Sequence, residues 1–423
     1  MPQLTPTITT AATTLVKAYR KMQSGLLTGF QSMSEEWDLL DDIPNYDVTV
    51  SAREMTVPIR LNKAGRSAMI PEGGLEKNPV TPPLEELTLT WANLNERWMT
   101  TLTARYLDSK SQAGQVIRQL RYQAMTALEA ISNTVAWQFY GFSTGVACQT
   151  TSVGAGVTTQ TLVLANGFGI AGLGGAGYLA SMFTIYDRVA LIRAGALVPN
   201  AIGQITAVDS TAGTISVSWL GAVTSAAGDN IVFANSVENT TIAGTDYNLA
   251  PVGLLEAVTS ASVHGLSSAT NGAWATASAN TTAGRFSGLK LRRMRQAITN
   301  KGGAKADLVI WSQGVENDTI EAEKASARFS STFGMEMEGS VKAKGITFFS
   351  SQKVPPGYVF VMDKSEAMGK FTLLPKPNSG TPPWTDGDKM ENRNALQFSI
   401  DFPYAYVYKN RGAIAYQSNA TEQ

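Results

Sequence analysis

The sequence predicts an α+β fold organised along one very long helix, and three stretches carry that reading. Between Asp47 and about residue 106, two runs of alternating apolar residues face each other across a tip rich in proline and glycine. From about 109 to 140 a single apolar stripe continues without a breaker, and from Phe286 onward short helical and extended segments alternate. A period of two means strand and a period of 3.6 means helix, so each stretch is assigned by its own spacing.

Residues 1–45 read as an arm. Leu15, Tyr19, Met22, Leu26 and Phe30 recur at three- and four-residue spacing, with Lys17, Arg20 and Lys21 off the stripe. That spacing predicts a short amphipathic helix, and Pro44 closes the arm ahead of the next segment. Residues 46–106 read as a long hairpin. Its outgoing leg alternates at Val48, Val50 and Ala52, then at Val57, Ile59 and Leu61; its tip holds Asn62–Gly65 and Pro71–Gly74. The returning leg sets Leu87, Leu89 and Trp91 against Thr88 and Thr90. An isolated two-stranded hairpin is marginal in water. A neighbouring copy of the chain is therefore expected to cover the apolar face. Replacing Leu87 and Leu89 by Asp is expected to leave a folded subunit that no longer assembles.

Residues 107–149 hold the long helix. Asp108 or Ser109 supplies the N-cap, the stripe runs Ala113, Val116, Ile117, Leu120, Ala124, Leu128, Ile131, Val135, Phe139, and Gly141 stops it. At 1.5 Å per residue such a helix is about 48 Å long, a spine across which other elements lie.

Residues 150–245 change character: charge is sparse and Thr, Ser, Ala, Gly and Val dominate. Ile205 and Ala207, then Ile215, Val217 and Trp219, alternate on either side of Asp209–Gly213, which is hairpin chemistry. Asp187–Ile192 and Gly228–Phe233 flank them as further strands, so a small β-barrel or sandwich inserted into the main fold is expected. Residues 246–284 connect this insert to the rest. Within 285–362 a helix from about Gly288 to Asn300 ends at Gly302-Gly303, Leu308–Trp311 is a strand, and Val315–Arg328 is a polar helix. Ile346–Ser350 and Tyr358–Met362 are strands separated by Val354–Gly357. Within 363–423 a loop carrying Pro375, Pro377, Pro382 and Pro383 precedes strands Leu396–Phe402, Tyr404–Tyr408 and Ala413–Tyr416.

Composition narrows the function. Lys plus Arg and Asp plus Glu both number 34, which argues against a protein that grips nucleic acid through a large net positive charge. One cysteine, Cys148, excludes an intramolecular disulfide framework, and one histidine, His264, leaves no His pair for a metal or a proton relay. No run approaches the roughly 20 apolar residues of a membrane-spanning helix, and the N-terminus lacks the basic and apolar pattern of a signal peptide. A protein made and used in the cytoplasm is expected.

Four patterns invite a chemical reading. Gly167-Phe168-Gly169-Ile170-Ala171-Gly172 follows an extended Thr161–Ala165 and precedes Asp187, the outline of a dinucleotide fingerprint. Gly174, Gly175 and Gly177 leave too little room for the crossover helix that motif needs, so a tightly turned loop is expected. Lys290, Arg292, Arg293 and Arg295 cluster on one predicted helix, where Leu289, Met294 and Ile298 can face a core while the charges face water or a neighbouring subunit. Glu85–Glu86 and Glu321 with Glu323 lack any partner motif and read as surface charge. The histidine lies in a Ser-rich stretch, and no G-x-S-x-G elbow is present to use it. No catalytic, cofactor-binding or metal-binding residue is assigned, and the chain is read as a non-enzyme.

Arm, hairpin, spine helix and α+β body in this order resemble the major capsid proteins of tailed bacteriophages, with the Hong Kong 97-type fold. The segments that carry the likeness are Pro251–Leu255, Leu308–Trp311, Gly345–Thr347, Ser350, Val354–Gly357 ahead of Asp363, Tyr406–Tyr408 and Arg411–Ala415. The resemblance implies an N-arm (1–45), an extended loop (46–106), the spine helix of a peripheral domain (107–149), an inserted β-rich domain (150–245), a connection (246–284), an axial domain (285–362) and a return to the peripheral domain (363–423). It further implies a structural protein of the virion, assembled in the host cytoplasm into hexamers and pentamers of an icosahedral shell around double-stranded DNA. Its partners would be other copies of itself, a portal, a scaffolding protein made separately (since no long charged N-terminal extension is seen), a decoration protein, and packaged DNA through non-specific contact. No cofactor and no membrane are implied. Lys63 and Lys77 lie in the hairpin, but no motif identifies an acceptor for a cross-link. Two other readings stand beside it: an encapsulin-like cellular compartment shell, and a β-rich tail or adhesin protein, against which the long helix and later helix–strand alternation argue.

Overall fold

A computed structural model describes residues 34–43, 49–50, 54–60, 84–101, 114–234, 250–326, 345–372, 388–389 and 395–422. The amphipathic arm helix, the hairpin tip with Lys63 and Lys77, and the Pro-rich loop of 375–383 lie outside these residues.

In chain order the elements are α1 (Glu35–Asp38), β1 (Thr49–Val50), β2 (Glu54–Arg60), β3 (Leu84–Thr90), β4 (Ala92–Thr101), α2 (Gly114–Tyr140), β5 (Val146–Thr150) and β6 (Gly154–Ala165). Then come α3 (Ala176–Ser181), β7 (Arg188–Arg193), β8 (Ala196–Asp209), β9 (Thr214–Ser225), β10 (Asn230–Phe233), α4 (Leu254–Thr259), β11 (Ser262–Val263), β12 (Leu266–Ser267) and β13 (Ser278–Asn280). The last third holds α5 (Gly288–Gly302), β14 (Leu308–Ser312), α6 (Gln313–Ser326), β15 (Thr347–Ser351), β16 (Val359–Met362), α7 (Lys364–Ala367), β17 (Met368–Thr372), β18 (Asp388–Lys389), β19 (Ala395–Tyr408) and β20 (Ile414–Gln417).

The chain divides into two compact units. One takes residues up to Leu40, Ala92–Ala136 and Lys370–Ala405. Its sheet is built on β19, which pairs antiparallel with β4 from Ala395↔Thr101 to Tyr404↔Ala92 and also carries β17 and β18. Here the sequence expectation is corrected. Two strands split at Pro403 are one fourteen-residue strand, and Pro403 sits inside the ladder opposite Asn93. The ring of Trp37 on α1 packs edge-on against Phe402 and Tyr404 at 5.6 and 6.0 Å, and the Lys370 ammonium lies 5.2 Å from its centroid while donating to the Trp37 carbonyl at 3.0 Å. The arm's end is thus fixed by aromatic packing and a buried cation whose charge faces a ring.

The other unit takes Asp41–Trp91, Trp137–Gly369 and Tyr406–Gln423. Its centre is a five-stranded sheet in the order β13-β20-β16-β14-β15. β14 is parallel to β15 and antiparallel to β16, and β20 is antiparallel to β16 and parallel to β13. All five residues of β14 are buried, as a short continuous apolar strand in the middle of a sheet requires. α5 begins at an N-cap, Ser287, whose hydroxyl accepts from the Lys290 amide, and ends at Gly303 with φ of 66°, the left-handed turn that Gly tolerates without strain. Leu291, Met294 and Ile298 form its buried stripe. β20 pairs within this sheet, whereas the preceding β19 pairs with β4, so the last two strands serve different sheets.

α2 has 27 residues, about 40 Å of helix. Ala127, Ile131, Val135 and Phe139 form a buried line at four-residue spacing, and the Gly141 amide bonds back to the Gln138 carbonyl at 3.1 Å. Five residues later the inserted region starts. It is a closed antiparallel barrel of six strands in the order β10-β5-β6-β9-β8-β7, around Val146, Ala190, Ile192, Ile202 and Val232. The predicted strands appear as β7, β8, β9 and β10; β5 and the twelve-residue extent of β6 are additions. Closure leaves no free sheet edge, which suits an insert that carries little charge to blunt one. Arg193 clamps the buried Asp229 through two bonds of 2.7 Å, fixing the turn before β10, where Asp229 also accepts from the Ala226 amide.

The first and last barrel strands pair with each other, Val146 opposite Val232. Just outside them, Glu256 on α4 accepts from the amide and hydroxyl of Ser143 at 2.5 and 2.9 Å. The start of the barrel thus lies beside both its own last strand and α4, and the barrel touches the unit further through Phe168 against Gly141 and through Tyr178. The Tyr178 ring meets Trp137 at 5.5 Å, and its hydroxyl donates to the Lys353 carbonyl. Replacing 144–250 by a short Gly-Ser linker is expected to leave a protein with a single cooperative, less stable melt and retained helical circular dichroism. A non-cooperative melt would show that the barrel completes the core.

The hairpin stem is where the structure departs most from expectation. β2 and β3 pair from Glu54↔Thr90 to Arg60↔Leu84, but their apolar face is covered by the chain itself: Val57, Ile59, Leu87 and Leu89 are all buried. The Thr88 amide donates to the His264 carbonyl, so the turn between β11 and β12 lies alongside the stem. An intermolecular partner is not needed for this face. Leu89→Ala is accordingly expected to lower subunit stability by about 2–5 kcal/mol in denaturant titrations, and the double Asp variant to fail to fold rather than merely fail to assemble.

Candidate functional site

The groups with unusual chemistry gather in the second unit around two residues of opposite character, His264 and Arg411. β11 and β12 are joined by His264 and Gly265, with φ of 52° and 79°, the paired positive values of a tight two-residue hairpin turn. His264, in its Ser-rich stretch, is buried. Its Nε2 accepts from the Tyr408 amide at 3.4 Å, its ring stacks on Tyr408 at 5.6 Å, and its carbonyl takes the Thr88 amide. Burial and, secondarily, the nearby Arg411 charge push its pKa down to about 3. A neutral imidazole whose Nε2 already holds a backbone amide is a structural acceptor, and among the described residues no serine or cysteine side chain bonds to it.

Arg411 opens the turn that leads into β20 and is 2% exposed. Its Nε donates to the Ala257 carbonyl at 2.7 Å and its Nη2 to the Ser260 carbonyl at 2.6 Å, both at the end of α4. Its Cζ lies 6.0 Å from the centroid of the Trp274 ring. Burial lowers its pKa to about 10, with Tyr408 acting in the opposite direction. The start of α4 is held equally closely. A Cβ on Gly253 would sit 2.6 Å from the Gln138 carbonyl oxygen and 2.7 Å from the Gly141 nitrogen, so only glycine lets this segment lie on the end of α2.

The patterns singled out in the sequence are kept apart from this centre or built differently. In the glycine loop the amides of Gly167, Gly169, Ile170 and Leu173 bond to carbonyls within the loop, and that of Gly172 bonds to Asn166 Oδ1. Those donors are committed to the loop, α3 has only six residues, and Asp187 accepts from the Thr184 amide to close a turn. The arrangement suits a structural turn and has no cradle for a pyrophosphate. On α5, Arg292 and Arg293 are exposed, Arg295 is half-buried and Lys290 donates to the Gly284 carbonyl at 3.3 Å. Glu86 is exposed and Glu85 half-buried on β3; Glu321 is exposed on α6. Cys148 is buried in β5, which raises its thiol pKa far above the ordinary range and makes it inert. Among the described residues no group of three or more His, Cys, Asp or Glu side chains could hold a metal, and no helix is long and apolar enough to cross a membrane.

Sequence reasoning missed several polar anchors. Asp318 on α6 is buried and bonded twice by Arg285 at 2.8 Å. Glu422 accepts from the Gly357 amide at 2.7 Å and from the Ser312 hydroxyl, tying the end of the chain to the start of α6. Arg411 stands within one of the segments that carry the capsid likeness, and its burial is only weakly marked in the local sequence. An Arg beside Gly412 in an otherwise apolar run was the available signal.

No family model matches the sequence, and no curated protein matches it. Among solved structures the chain is similar to one from the capsid asymmetric unit of cyanophage A-1(L), at 10% identity and a TM-score of 0.49, covering 91% of this chain and 92% of that one. It is similar to a chain of the satellite phage P4 procapsid that includes the size determination protein, at 8% identity and a TM-score of 0.43, covering 94% and 90%. It is also similar to the holo-SrpI encapsulin complex from Synechococcus elongatus PCC 7942, at 8% identity and a TM-score of 0.43, covering 92% and 89%.

The buried neutral His264 gives a prediction for pH. An unfolded histidine takes up a proton near 6.5 and the folded one only near 3, so the unfolded state binds more protons between these values. The associated stability is fully present above about pH 6.5 and is lost as pH falls, by up to about 1.4 kcal/mol per pH unit. Urea titrations between about pH 7 and pH 5, above the main carboxylate range, should show that slope. His264→Gln should flatten it, and an unchanged slope would place the titration elsewhere.

Proposed function

We propose that this chain is the major capsid protein of a tailed bacteriophage, a structural protein that self-assembles into the icosahedral shell around double-stranded DNA. The observation that carries the reading is where the segments of the capsid likeness fall. Pro251–Leu255 brings Gly253 against the end of α2; Leu308–Trp311 forms the interior strand β14; Gly345–Thr347 leads into β15; Val354–Gly357 turns into β16; Arg411–Ala415 supplies Arg411 and enters β20. Segments scattered over more than a hundred residues thus meet as adjacent strands and joints of one unit, around the sheet β20-β16-β14-β15 and the end of one long helix. A hairpin stem precedes that helix in the chain.

In this reading the chain works through geometry and not through a reaction. Many weak contacts, repeated by symmetry, close a shell of hexamers and pentamers. The hairpin stem is part of the subunit core, which leaves intersubunit contact to the arm, the hairpin tip and the sheet body. Portal, a separate scaffolding protein and a decoration protein are the expected partners, the virion capsid the expected location, and the host cytoplasm the place of assembly. The barrel is a module whose first and last strands pair with each other, set in the chain between the spine helix of a peripheral domain and the axial domain of residues 285–362. DNA would meet the wall without sequence reading, because positive and negative charges balance and exposed Arg292 and Arg293 are a short patch.

Negative-stain microscopy of the purified protein, alone and co-expressed with its genomic neighbours, should show closed shells of uniform size. An encapsulin-like shell would assemble alone around protein cargo, whereas absence of shells under every condition would reject both. Duplex binding by the unassembled subunit should be weak, indifferent to sequence and steeply reduced between low and near-physiological salt. Tight, selective binding that survives the higher salt would overturn the capsid reading in favour of a DNA-recognition protein.

A further inference from the structure

Charge is balanced over the whole chain but segregated along it. Residues 22–52 carry six carboxylates and no lysine or arginine, and residues 257–306 carry seven lysines and arginines and no carboxylate. In the second stretch α5 turns Leu289, Arg292, Arg293 and Gln296 outward at three- and four-residue spacing, away from the buried line of Leu291, Met294 and Ile298. Lys290 and Lys301 are committed to the carbonyls of Gly284 and Thr276, and Arg285 to Asp318. The side chains of Arg292, Arg293 and Arg295 have no carboxylate or other hydrogen-bond partner among the described residues. The outer face of α5 is therefore a cationic surface without a counter-charge of its own.

The acidic stretch is held in a fixed shape. The Ser34 hydroxyl caps α1, and the buried Trp37 ring, packed on Phe402 and Tyr404, sets its orientation. Glu35 and Asp38, three residues apart, are exposed on that turn, and Asp41 and Asp42 are exposed directly after it. The Glu35 carboxylate has no partner among the described residues, and that of Asp41 meets Lys364 in an exposed pair at 3.6 Å, which contributes little. Opposite charges gathered on separate segments of one chain make two copies complementary: the acid of one can meet the base of the next in a head-to-tail contact. Leu289, 59% exposed on the cationic face, favours a protein occupant over a phosphate backbone, because a protein surface covers a leucine and a row of phosphates does not.

We propose that the outer face of α5, with Arg292 and Arg293 at its centre, is the docking surface for the acidic segment Glu35–Asp42 of a second copy of this chain. The inference takes its setting from the shell reading, but the contact is measured apart from the shell. Self-association of the purified full-length subunit is followed by sedimentation at low and near-physiological salt, and shell formation by microscopy of the co-expressed protein. Two double variants reverse the charges, Arg292→Glu with Arg293→Glu on one side and Glu35→Lys with Asp41→Lys on the other. Each should keep the wild-type melting and circular dichroism, since all four side chains are exposed. Each should weaken low-salt self-association by about tenfold and cut the yield of shells, and near-physiological salt should shrink the difference. The four changes together should restore both association and shells. Unaltered association and shells in the double variants, or no restoration in the four-site variant, would overturn the contact and leave the shell reading standing. Association rescued by charge exchange in a protein that never forms shells would keep the contact and reject the shell. Normal shells from Arg292→Glu with Arg293→Glu, together with lost duplex binding, would assign the face to nucleic acid and overturn the proposal. A wild-type subunit with neither self-association nor shells would overturn both.

Discussion

The segment between the barrel and α4 lies on the end of the long helix so closely that position 253 cannot carry a Cβ. Much of the second unit depends on that approach. Gly253 places α4, α4 places Glu256 against Ser143, and the end of α4 presents the Ala257 and Ser260 carbonyls to Arg411. Arg411 in turn starts the run into β20, which joins β16 and β13. A steric constraint at one glycine is thereby passed through a short helix and a buried guanidinium to the central sheet. Close packing makes such chains of consequence possible, because neighbouring groups have little room to adjust.

Polarity is handled differently at the two ends of this chain of contacts. His264 is made neutral by burial and serves as an acceptor for a backbone amide, whereas Arg411 keeps its charge and spreads it over carbonyls and an indole face. Two other buried charges are carboxylates reached by half-exposed arginines, Asp229 by Arg193 and Asp318 by Arg285. Those pairs let the arginine keep contact with water while the carboxylate is fixed inside, so neither requires a second buried charge.

The contacts divide the labour of holding this fold. The central sheet, the end of the long helix and the buried polar centre hold the second unit in one shape, and the barrel joins it beside the Ser143–Glu256 contact and through Tyr178, which meets Trp137 and Lys353. A module joined in that way can vary without disturbing the sheet, since its first and last strands close on each other and not on the body.

The sequence by itself determined the elements whose identity is written in local spacing. The α+β class, the helix ending at Gly141, the capped helix from Gly288 to Gly302, the barrel strands on either side of Asp209–Gly213 and the apolar strand at Leu308 come from periodicity, caps and turn residues. Tertiary structure alone decided the cover of each face and the pairing of distant strands. Val57, Ile59, Leu87 and Leu89 alternate correctly for a half-buried hairpin, but spacing cannot say whether the cover is another copy or the chain itself. Pro403 reads as a breaker in sequence and sits within a continuous strand in the fold. Arg411 looks like any surface arginine until α4, Trp274 and β20 close around it, because burial is a property of the elements that surround a residue and not of the residues beside it in the chain.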